Sequence, residues 1–297
     1  MTSSKVRDII LHMKSGFVVL VGRSNVGKST LLNALVGSKV AIVTPKAQTT
    51  RMPIRGILHD ERGQIVFVDT PGIFLGKKDI LSKKLNTAVK KSLEGIDAVV
   101  YVVDPTREVG AEEKNIQSIL AKVKQPVILA INKIDVEPKK RPATEEFEDL
   151  DIGQATTVKI SASKQKHLKT LVSAIFEILP EGPGYYPEQQ ITDLGHQQWI
   201  QETIREKVFL SLAQELPYTV NVKVNDIKFR NGGGRFIDAT IWTTNDRYKH
   251  MIIGAGARTI KEIGMKARKE LQAALDTPVH LDLDVRVDPK WPEKFSA

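Results

Sequence analysis

The sequence contains no cysteine among its 297 residues. This absence excludes disulfides, thiolate zinc sites and cysteine nucleophiles, and it is typical of a reducing compartment. No apolar stretch approaches the ~20 residues that span a bilayer. Residues 1–14 also lack the apolar core and cleavage site of a signal peptide. We therefore expect a soluble protein of the cytoplasm.

Positive charge is what the chain has in excess. Its formal net charge of +9 favours an anionic partner, although a basic balance can also serve solubility alone. Residues 181–297 hold 16 basic and 16 acidic side chains, yet residues 247–269 hold seven basic ones and a single acidic one, Glu262. The sequence therefore predicts a local cationic patch.

The length of the chain suffices for two domains of ordinary size. Proline and glycine cluster in residues 180–187, between two segments of regular apolar periodicity. We place the domain boundary there. The prediction is a first domain over residues 1–180, a linker over 181–192 and a second domain over 193–297.

A phosphate-binding pattern opens the first domain. Residues 22–29 are Gly-Arg-Ser-Asn-Val-Gly-Lys-Ser and follow the apolar run 17–21. Glycines let such a loop turn its amide groups toward a phosphate, and a helix beginning near Gly27 points its positive end at the anion. Lys28 would reach the β- and γ-phosphates, and the Ser29 hydroxyl would hold magnesium. The pattern predicts a nucleoside triphosphate site, with a chance match as the alternative.

Strand and helix patterns alternate through the rest of this domain. Strands that are apolar on both faces and alternate with helices predict an α/β domain with a mostly parallel sheet, which binds ligands beyond the carboxyl ends of its strands. The strands are predicted at 17–21, 65–68, 98–103 and 127–131, with a short β-type run at 40–43, and the helices at 83–93, 112–123 and 169–179.

Polar motifs follow these strands. Asp69-Thr70-Pro71-Gly72 comes after the strand ending at Val68, where Asp69 can hold the water shell of magnesium and the Gly72 amide can contact the γ-phosphate. Asp-x-x-Gly is also a common turn, so this motif is ambiguous alone.

Two further motifs concern the base. In Asn132-Lys133-Ile134-Asp135, the Asp135 carboxylate can accept from the N1 and 2-amino groups of guanine, which adenine lacks. A carboxylate left unpaired by the wrong base is costly, so the site would discriminate strongly. Ser161-Ala162-Ser163 follows a short strand and could present a backbone amide to the guanine oxygen. These residues predict guanine as the base.

The four motifs, in this order, resemble those of translation-factor-type GTPases. The segment Lys46-Ala47-Gln48-Thr49-Thr50-Arg51 resembles the first switch of the Era family, bacterial GTPases with an RNA-binding tail. By that resemblance a threonine of this segment reaches magnesium when GTP is bound. We assign this role to Thr50, with Thr49 as the alternative.

The second switch motif, Asp69-Thr70-Pro71-Gly72, is not followed by a glutamine. Ile73 stands where Ras-like enzymes have the glutamine that orients the attacking water, so unaided hydrolysis should be slow. By resemblance, the Era family also has a hydrophobic residue at this position. In that family an asparagine of the phosphate loop can bind a potassium ion that stimulates hydrolysis. Asn25 occupies that position and is our candidate, with a turn-forming role as the alternative.

The second domain has a different pattern. A helix over 199–213 precedes a strand starting near Leu216, a turn at 231–234 and a second strand at 236–242. A Gly-rich segment and a helix to Leu275 follow, and a strand at 279–287 ends the pattern. This α+β order resembles the second type of KH domain.

KH domains clamp about four nucleotides of single-stranded RNA with a Gly-x-x-Gly loop between two helices. Gly254 matches the first glycine of this motif, but Ala257 stands at the fourth position and Gly256 one residue earlier. An ordinary solvated basic face is the competing interpretation of the surrounding cations. The RNA-binding residues are predicted to be Lys249, Gly254, Ala255, Gly256, Ala257, Arg258, Lys261, Lys266 and Arg268.

The resemblance covers residues 15–295 and implies a GTP-hydrolysing switch that binds the 3′ end of small-subunit ribosomal RNA and assists assembly of the small subunit. A constitutive RNA-binding protein with a structural nucleotide site is the alternative. A metabolic kinase is disfavoured, because Asn132 and Asp135 would have no role in one. A tRNA-modifying GTPase is disfavoured by the missing C-terminal cysteine.

The predicted residues of the nucleotide site fall into groups by role. The catalytic residues are Lys28, Asn25, Thr50 and Gly72, and the magnesium ligands are Ser29, Thr50 and Asp69. GTP or GDP is predicted to contact Gly22, Asn25, Val26, Gly27, Lys28, Ser29, Thr30, Asp69, Gly72, Asn132, Lys133, Asp135, Ser161, Ala162 and Ser163, with potassium as a further candidate cofactor.

The expected partners are ribosomal RNA and the small ribosomal subunit, bound by a monomer. A basic face on or near the second switch could meet either RNA or anionic lipid at the inner face of the cell membrane. It comprises Lys77, Lys78, Lys83, Lys84, Lys90 and Lys91.

Overall fold

The fold is taken from a computed structural model, which describes residues 13–46, 49–72, 80–213, 216–229 and 233–294. The chain divides into two compact units. Among the described residues, the first unit holds those in 13–41 and 50–193, and the second holds those in 42–49 and 194–294. Among the described helices, none has the length and apolar character that would cross a membrane.

The first unit is built on a six-stranded sheet flanked by helices. Its strand order is β2-β3-β1-β4-β5-β6, and every neighbouring pair is parallel except the antiparallel pair of β2 and β3. The elements are β1 (Lys14–Val21), α1 (Lys28–Val36), β2 (Ile54–Asp60), β3 (Gly63–Asp69), α2 (Ile80–Lys91), β4 (Ala98–Val103), α3 (Ala111–Leu120), β5 (Val127–Ile131), α4 (Thr144–Glu148), β6 (Thr156–Lys159) and α5 (Leu168–Ile178).

The sheet confirms the predicted α/β class. The central strands β4 and β5 are buried at every residue, because apolar side chains on both faces pack against separate hydrophobic clusters. One cluster lies under α1 and α5, and the other lies under α3. Because β1, β3, β5 and β6 run parallel, the loops that follow them leave the same edge of the sheet.

The β-type run at 40–43 is not a strand, and this prediction was wrong. The Asn33 side chain accepts the backbone amides of Val40 and Ala41 at 3.0 and 2.9 Å and donates to the Ala41 carbonyl at 2.7 Å. A side chain therefore satisfies backbone groups that a neighbouring strand would otherwise pair. The antiparallel strand β2 escaped the sequence pattern, because its apolar residues do not alternate regularly.

The predicted linker, residues 181–192, packs along the first unit. Gln64 is buried, accepts the amides of Tyr185 and Tyr186 at 2.7 and 3.0 Å, and donates to the Tyr186 carbonyl at 2.7 Å. The Ile57 amide of β2 donates to the Ile191 carbonyl. The domain limits drawn from the sequence stay a prediction, while these contacts place the segment in the first compact unit.

The second unit has a three-stranded sheet whose order is β7-β8-β9, with β7 antiparallel and β9 parallel to β8. Its apolar face packs against three helices around a single core. Leu216–Thr219 form a 3-10 turn, so the strand begins later than predicted. The elements are α6 (His196–Ser211), β7 (Asn221–Phe229), β8 (Arg235–Thr243), α7 (Asp246–Ile253), α8 (Arg258–Leu275), β9 (Val279–Val287) and α9 (Trp291–Lys294).

Candidate functional site

The phosphate loop joins β1 to α1 in the first unit. Helix α1 begins at Lys28 after Gly27, and no side chain caps its amino end. The Lys28 ammonium is buried and donates to the carbonyls of Gly22 and Arg23, both at 2.9 Å. Burial lowers the pKa of Lys28 to about 8, although the Asp69 carboxylate opposes this shift. The loop thus combines the uncapped amino end of a helix with a lysine folded back over it, the arrangement that an anionic phosphate needs.

Glycine is required at two points around this loop. A Cβ on Gly22 would lie 2.3 Å from the Val102 carbonyl oxygen of β4. A Cβ on Gly72 would lie 2.7 Å from the Ser24 amide nitrogen, so the second switch motif approaches the phosphate loop closely. Ile73 and the rest of the second switch lie outside the described residues.

Three oxygen-bearing side chains meet beside Lys28. The Ser29 hydroxyl donates to Asp69 Oδ2 at 2.6 Å, and Thr50 Oγ1 lies 3.0 Å from Ser29 Oγ and 3.2 Å from Asp69 Oδ2. Asp69 is fully buried, and its Oδ1 has no hydrogen-bond partner. Burial raises the pKa of Asp69, while Lys28 and the two hydroxyls oppose that shift. Hydroxyl and carboxylate oxygens with one unused acceptor fit magnesium.

Thr49 and Thr50, the two candidate threonines, differ in their contacts. The Thr49 hydroxyl lies 2.6 Å from Thr44 Oγ1 and donates to the Lys46 carbonyl at 2.7 Å. Thr49 is therefore occupied within its own segment of the second unit. The structure brings Thr50 alone of the two to Ser29 and Asp69.

The Asp135 carboxylate lies in the loop after β5, where two serines of the loop after β6 approach it. Ser161 Oγ donates to its Oδ1 at 2.5 Å, and Ser163 Oγ lies 3.5 Å from its Oδ2. The Ser161 hydrogen bond keeps the pKa of Asp135 below its ordinary value, although partial burial opposes this. The carboxylate is thus ionised at neutral pH and exposed, as acceptance from guanine N1 and the 2-amino group requires.

Asn132 has a bracing role that the sequence did not indicate. Its buried side chain donates to the Val26 carbonyl at 2.9 Å and accepts the Ala162 amide at 2.9 Å. A Cβ on Gly27 would lie 2.4 Å from the Asn132 amide nitrogen. Asn132 therefore ties the phosphate loop to the loop over residues 161–163. From the sequence alone, Asn132 and the loop over residues 161–163 are both assigned only to recognition of the base.

Sequence reasoning missed Asp104 at the end of β4. Its carboxylate is buried, accepts the amide and hydroxyl of Thr106, and lies 2.5 Å from the Lys133 ammonium. Lys133 Nζ also lies 3.3 Å from the Asn25 carbonyl. The turn after a buried strand was the available signal, but only the fold shows that Asp104 orients Lys133.

A buried ion pair attaches the phosphate loop to helix α3. Arg23 Nε and a terminal guanidinium nitrogen each lie 2.8 Å from the Glu113 carboxylate on α3, and both side chains are buried. Arg23 occupies a position of the motif where any residue is allowed. No sequence signal distinguishes such an arginine from a solvated one, and Glu113 was missed for the same reason.

The loop between α7 and α8 carries the Gly-x-x-Gly-like sequence of the second unit. Gly254 has φ 73°, and a Cβ there would lie 2.3 Å from Thr259 Oγ1, so glycine is required. Gly256 has φ 58° with open space around it, and Ala257 has φ 60°. Gly256 thus does not relieve the strain, because Ala257 itself adopts the left-handed conformation.

Cations surround this loop unevenly. Arg258, Lys261 and Arg268 are exposed, and Lys249 is half-buried. Lys266 forms an ion pair of 2.6 Å with Glu262, which lowers its contribution to the positive field. Arg258 Nε lies 3.3 Å from the Ala255 carbonyl and so helps to close the loop.

Two protein families match the two units. The family described as "50S ribosome-binding GTPase" matches residues 17–133, and the family described as "KH domain" matches residues 215–292. The GTPase Era of Halothermothrix orenii is 43% identical over 284 residues, which are 96% of each chain. The GTPase Era of Carboxydothermus hydrogenoformans is 42% identical over 286 residues, again 96% of each chain.

Two solved structures are similar along the same length. Era in complex with MgGDPNP and nucleotides 1506–1542 of 16S ribosomal RNA has a TM-score of 0.90 at 40% identity, over 95% of this chain and 96% of that one. An Aquifex aeolicus Era variant bound to GDP and AlF4− has a TM-score of 0.89 at 39% identity, with the same coverage.

The fold and the site together define a P-loop GTPase followed by a KH domain. The chain binds guanine nucleotides and hydrolyses GTP. It belongs to the Era family of GTPases. The family resemblance and the fold class drawn from the sequence are therefore confirmed.

The left-handed alanine gives a stability prediction. Ala257→Gly should raise the free energy of unfolding of the second unit by up to about 1 kcal/mol, because the strain of an L-residue exceeds the entropy cost of glycine. Ala255→Gly, two residues earlier and without positive φ, should lower it by about 0.5–1 kcal/mol. Urea unfolding followed by tryptophan fluorescence measures both, and equal losses in the two variants would show that Ala257 is unstrained.

Proposed function

We propose that this protein is a GTP-dependent switch that binds the 3′ end of small-subunit ribosomal RNA and assists assembly of the small subunit. It acts as a monomer in the cytoplasm. The observation that carries the proposal is one chain with an assembled GTPase site and a KH loop bordered by exposed cations. The solved Era complex with nucleotides 1506–1542 of 16S ribosomal RNA supports the choice of RNA.

In the nucleotide site, Lys28 and the amides of residues 25–30 would bind the β- and γ-phosphates. Ser29 and Thr50 would hold magnesium directly and Asp69 through its water shell, where the ion supplies charge neutralisation between the phosphates. Asp135 would read the guanine edge. Thr50 lies beside Ser29 and Asp69, and Gly72 lies beside the phosphate loop, so these two residues would contact the magnesium ion and the γ-phosphate of bound GTP. Thr50 would thereby couple the segment before it to the nucleotide.

The supporting feature for a potassium site is the position of Asn25. It is exposed in the phosphate loop with φ 66°, and its backbone carbonyl is approached by Lys133. We propose that its side chain binds potassium and thereby compensates for the missing glutamine. Steady-state GTPase rates should be higher in potassium than in sodium buffer, and equal rates would contradict the assignment.

A membrane role receives less support. Of the predicted basic face, Lys77 and Lys78 lie outside the described residues, and side chains are described only for Lys84 and Lys91. Contact with anionic lipid therefore stays a prediction from the sequence.

Base recognition can be tested at Asp135. Asp135→Asn should shift the preference from guanine to xanthine nucleotides, because the amide can donate to the 2-oxo group that replaces the 2-amino group. Competition between GTP and XTP for a fluorescent nucleotide measures the preference. The matched control is Asp151→Asn, an exposed carboxylate on another loop of the same unit. Persistent GTP preference in the first variant would overturn the base-reading role.

The switch proposal is tested by RNA affinity in three nucleotide states. Fluorescence anisotropy with a labelled RNA of the 16S 3′ end should show about 5- to 150-fold tighter binding with a GTP analogue than with GDP, the range of ordinary allosteric coupling. Equal affinity with the analogue, with GDP and without nucleotide would leave only the constitutive RNA-binding alternative.

A pair of variants locates the RNA on the second unit. Lys261→Glu, beside the KH loop, should weaken RNA binding and reduce its salt dependence, because a phosphate contact is lost. Lys223→Glu, exposed on strand β7, carries the same charge change away from the loop and should leave the affinity within a factor of two. Equal losses would indicate a diffuse electrostatic attraction instead of a KH site.

A further inference from the structure

Helix α6 contains a run of polar and charged residues that is buried although no binding role has been assigned to it. Glu202, Thr203, Arg205 and Glu206 are each at most 4% exposed. Burying charges is costly unless each is paired and hydrogen-bonded, so such a run requires specific partners. Several of these partners lie on residues 42–49, which belong to the same compact unit.

Arg205 makes the most direct of these contacts. A terminal nitrogen of its guanidinium donates to the Thr49 backbone carbonyl at 2.7 Å. Its Nε donates to Glu202 Oε1 at 2.9 Å, and the same terminal nitrogen pairs with Glu202 Oε2. Its guanidinium carbon also lies 5.2 Å from the centre of the Phe209 ring. The carboxylate and the ring fix the guanidinium in the one orientation that reaches Thr49.

Two further contacts attach the start of the segment to the same helix. The Val43 amide donates to Glu206 Oε1 at 3.0 Å. The Lys46 ammonium donates to the carbonyls of Phe209 and Leu212, at the carboxyl end of α6 where the helix dipole favours a cation. The segment is thus held at three points spread over its length.

The segment also has internal support. The Thr44 hydroxyl accepts the Lys46 amide at 3.1 Å and lies 2.6 Å from the Thr49 hydroxyl. The residue that follows directly is Thr50, whose hydroxyl lies 3.0 Å from Ser29 Oγ. Because the carbonyl held by Arg205 belongs to the peptide bond joining Thr49 to Thr50, its orientation constrains the backbone of Thr50.

We propose that Arg205, oriented by Glu202, is a positioning residue for Thr50: it holds the Thr49–Thr50 peptide so that the Thr50 hydroxyl meets the magnesium and γ-phosphate site. The proposal rests on the proposed function of Thr50.

The test uses the full-length double variant Glu202→Gln, Arg205→Met. Removing both charges avoids leaving a buried unpaired carboxylate, which a single Arg205 change would do. Affinities for a fluorescent GTP analogue and for fluorescent GDP are measured with magnesium. The analogue should bind about tenfold more weakly, while GDP, which does not use Thr50, should stay within a factor of two. A destabilising effect alone would weaken both.

Glu262→Gln is the matched control. Glu262 lies on α8 and forms an exposed ion pair of 2.6 Å with Lys266 of the same helix. Its ratio of analogue to GDP affinity should equal that of the unchanged protein. If the double variant is folded by circular dichroism and keeps that ratio too, the proposal is wrong.

Arg205→Lys provides a second measurement if the double variant does not fold. The lysine keeps the charge opposite Glu202, but its single ammonium cannot reproduce the planar contacts to Glu202 and the Thr49 carbonyl. An intermediate loss of analogue affinity supports the proposal, and an unchanged ratio overturns it. Thr50→Ala distinguishes a failure of the Arg205 role from a failure of the Thr50 role: if it leaves the ratio of analogue to GDP affinity unchanged, the role of Thr50 in the proposed function is wrong.

Discussion

The parallel register of the first sheet is the constraint on which the nucleotide site depends. Leu20 of β1 pairs with Asp69 of β3, and Ile131 of β5 pairs with Lys159 of β6. Strands held in this register end at the same edge, so residues that are more than a hundred positions apart in sequence share one small volume. The side chains that meet there act on a rigid base, because both faces of the sheet are packed.

At that edge, the polar groups are held mainly by one another. The Asn132 side chain joins two loops by hydrogen bonds to their main chains. Asp104 orients Lys133, and the Arg23–Glu113 pair supports the phosphate loop. These buried groups need partners, since an unsatisfied polar atom in the interior is costly. Asp69 Oδ1 and the Ser24 hydroxyl have no such partner, and a carboxylate oxygen with an unused acceptor beside two hydroxyls fits a magnesium ion.

In the second unit, too, buried polar groups have specific partners. Its core is apolar, but the face of α6 that meets residues 42–49 is ionic and hydrogen-bonded. Directional contacts of this kind hold a main chain in one arrangement, whereas apolar packing tolerates sliding. Such contacts hold residues 42–49 at Val43, Lys46 and Thr49.

The sequence by itself determined the α/β class and the KH order of elements, and it generated the prediction of the nucleotide-site residues. Phosphate, magnesium and guanine each demand particular residue types at short spacings, and apolar strands reveal themselves by composition. The tertiary structure decided what depends on distant contacts. It brought the Thr50 hydroxyl to Ser29 and Asp69, gave Asn132 a bracing role and revealed Asp104 and Glu113. It also showed residues 40–43 as coil, with Val40 and Ala41 held by Asn33. Those outcomes depend on which backbone groups a side chain can reach in three dimensions, and linear spacing carries no record of that distance.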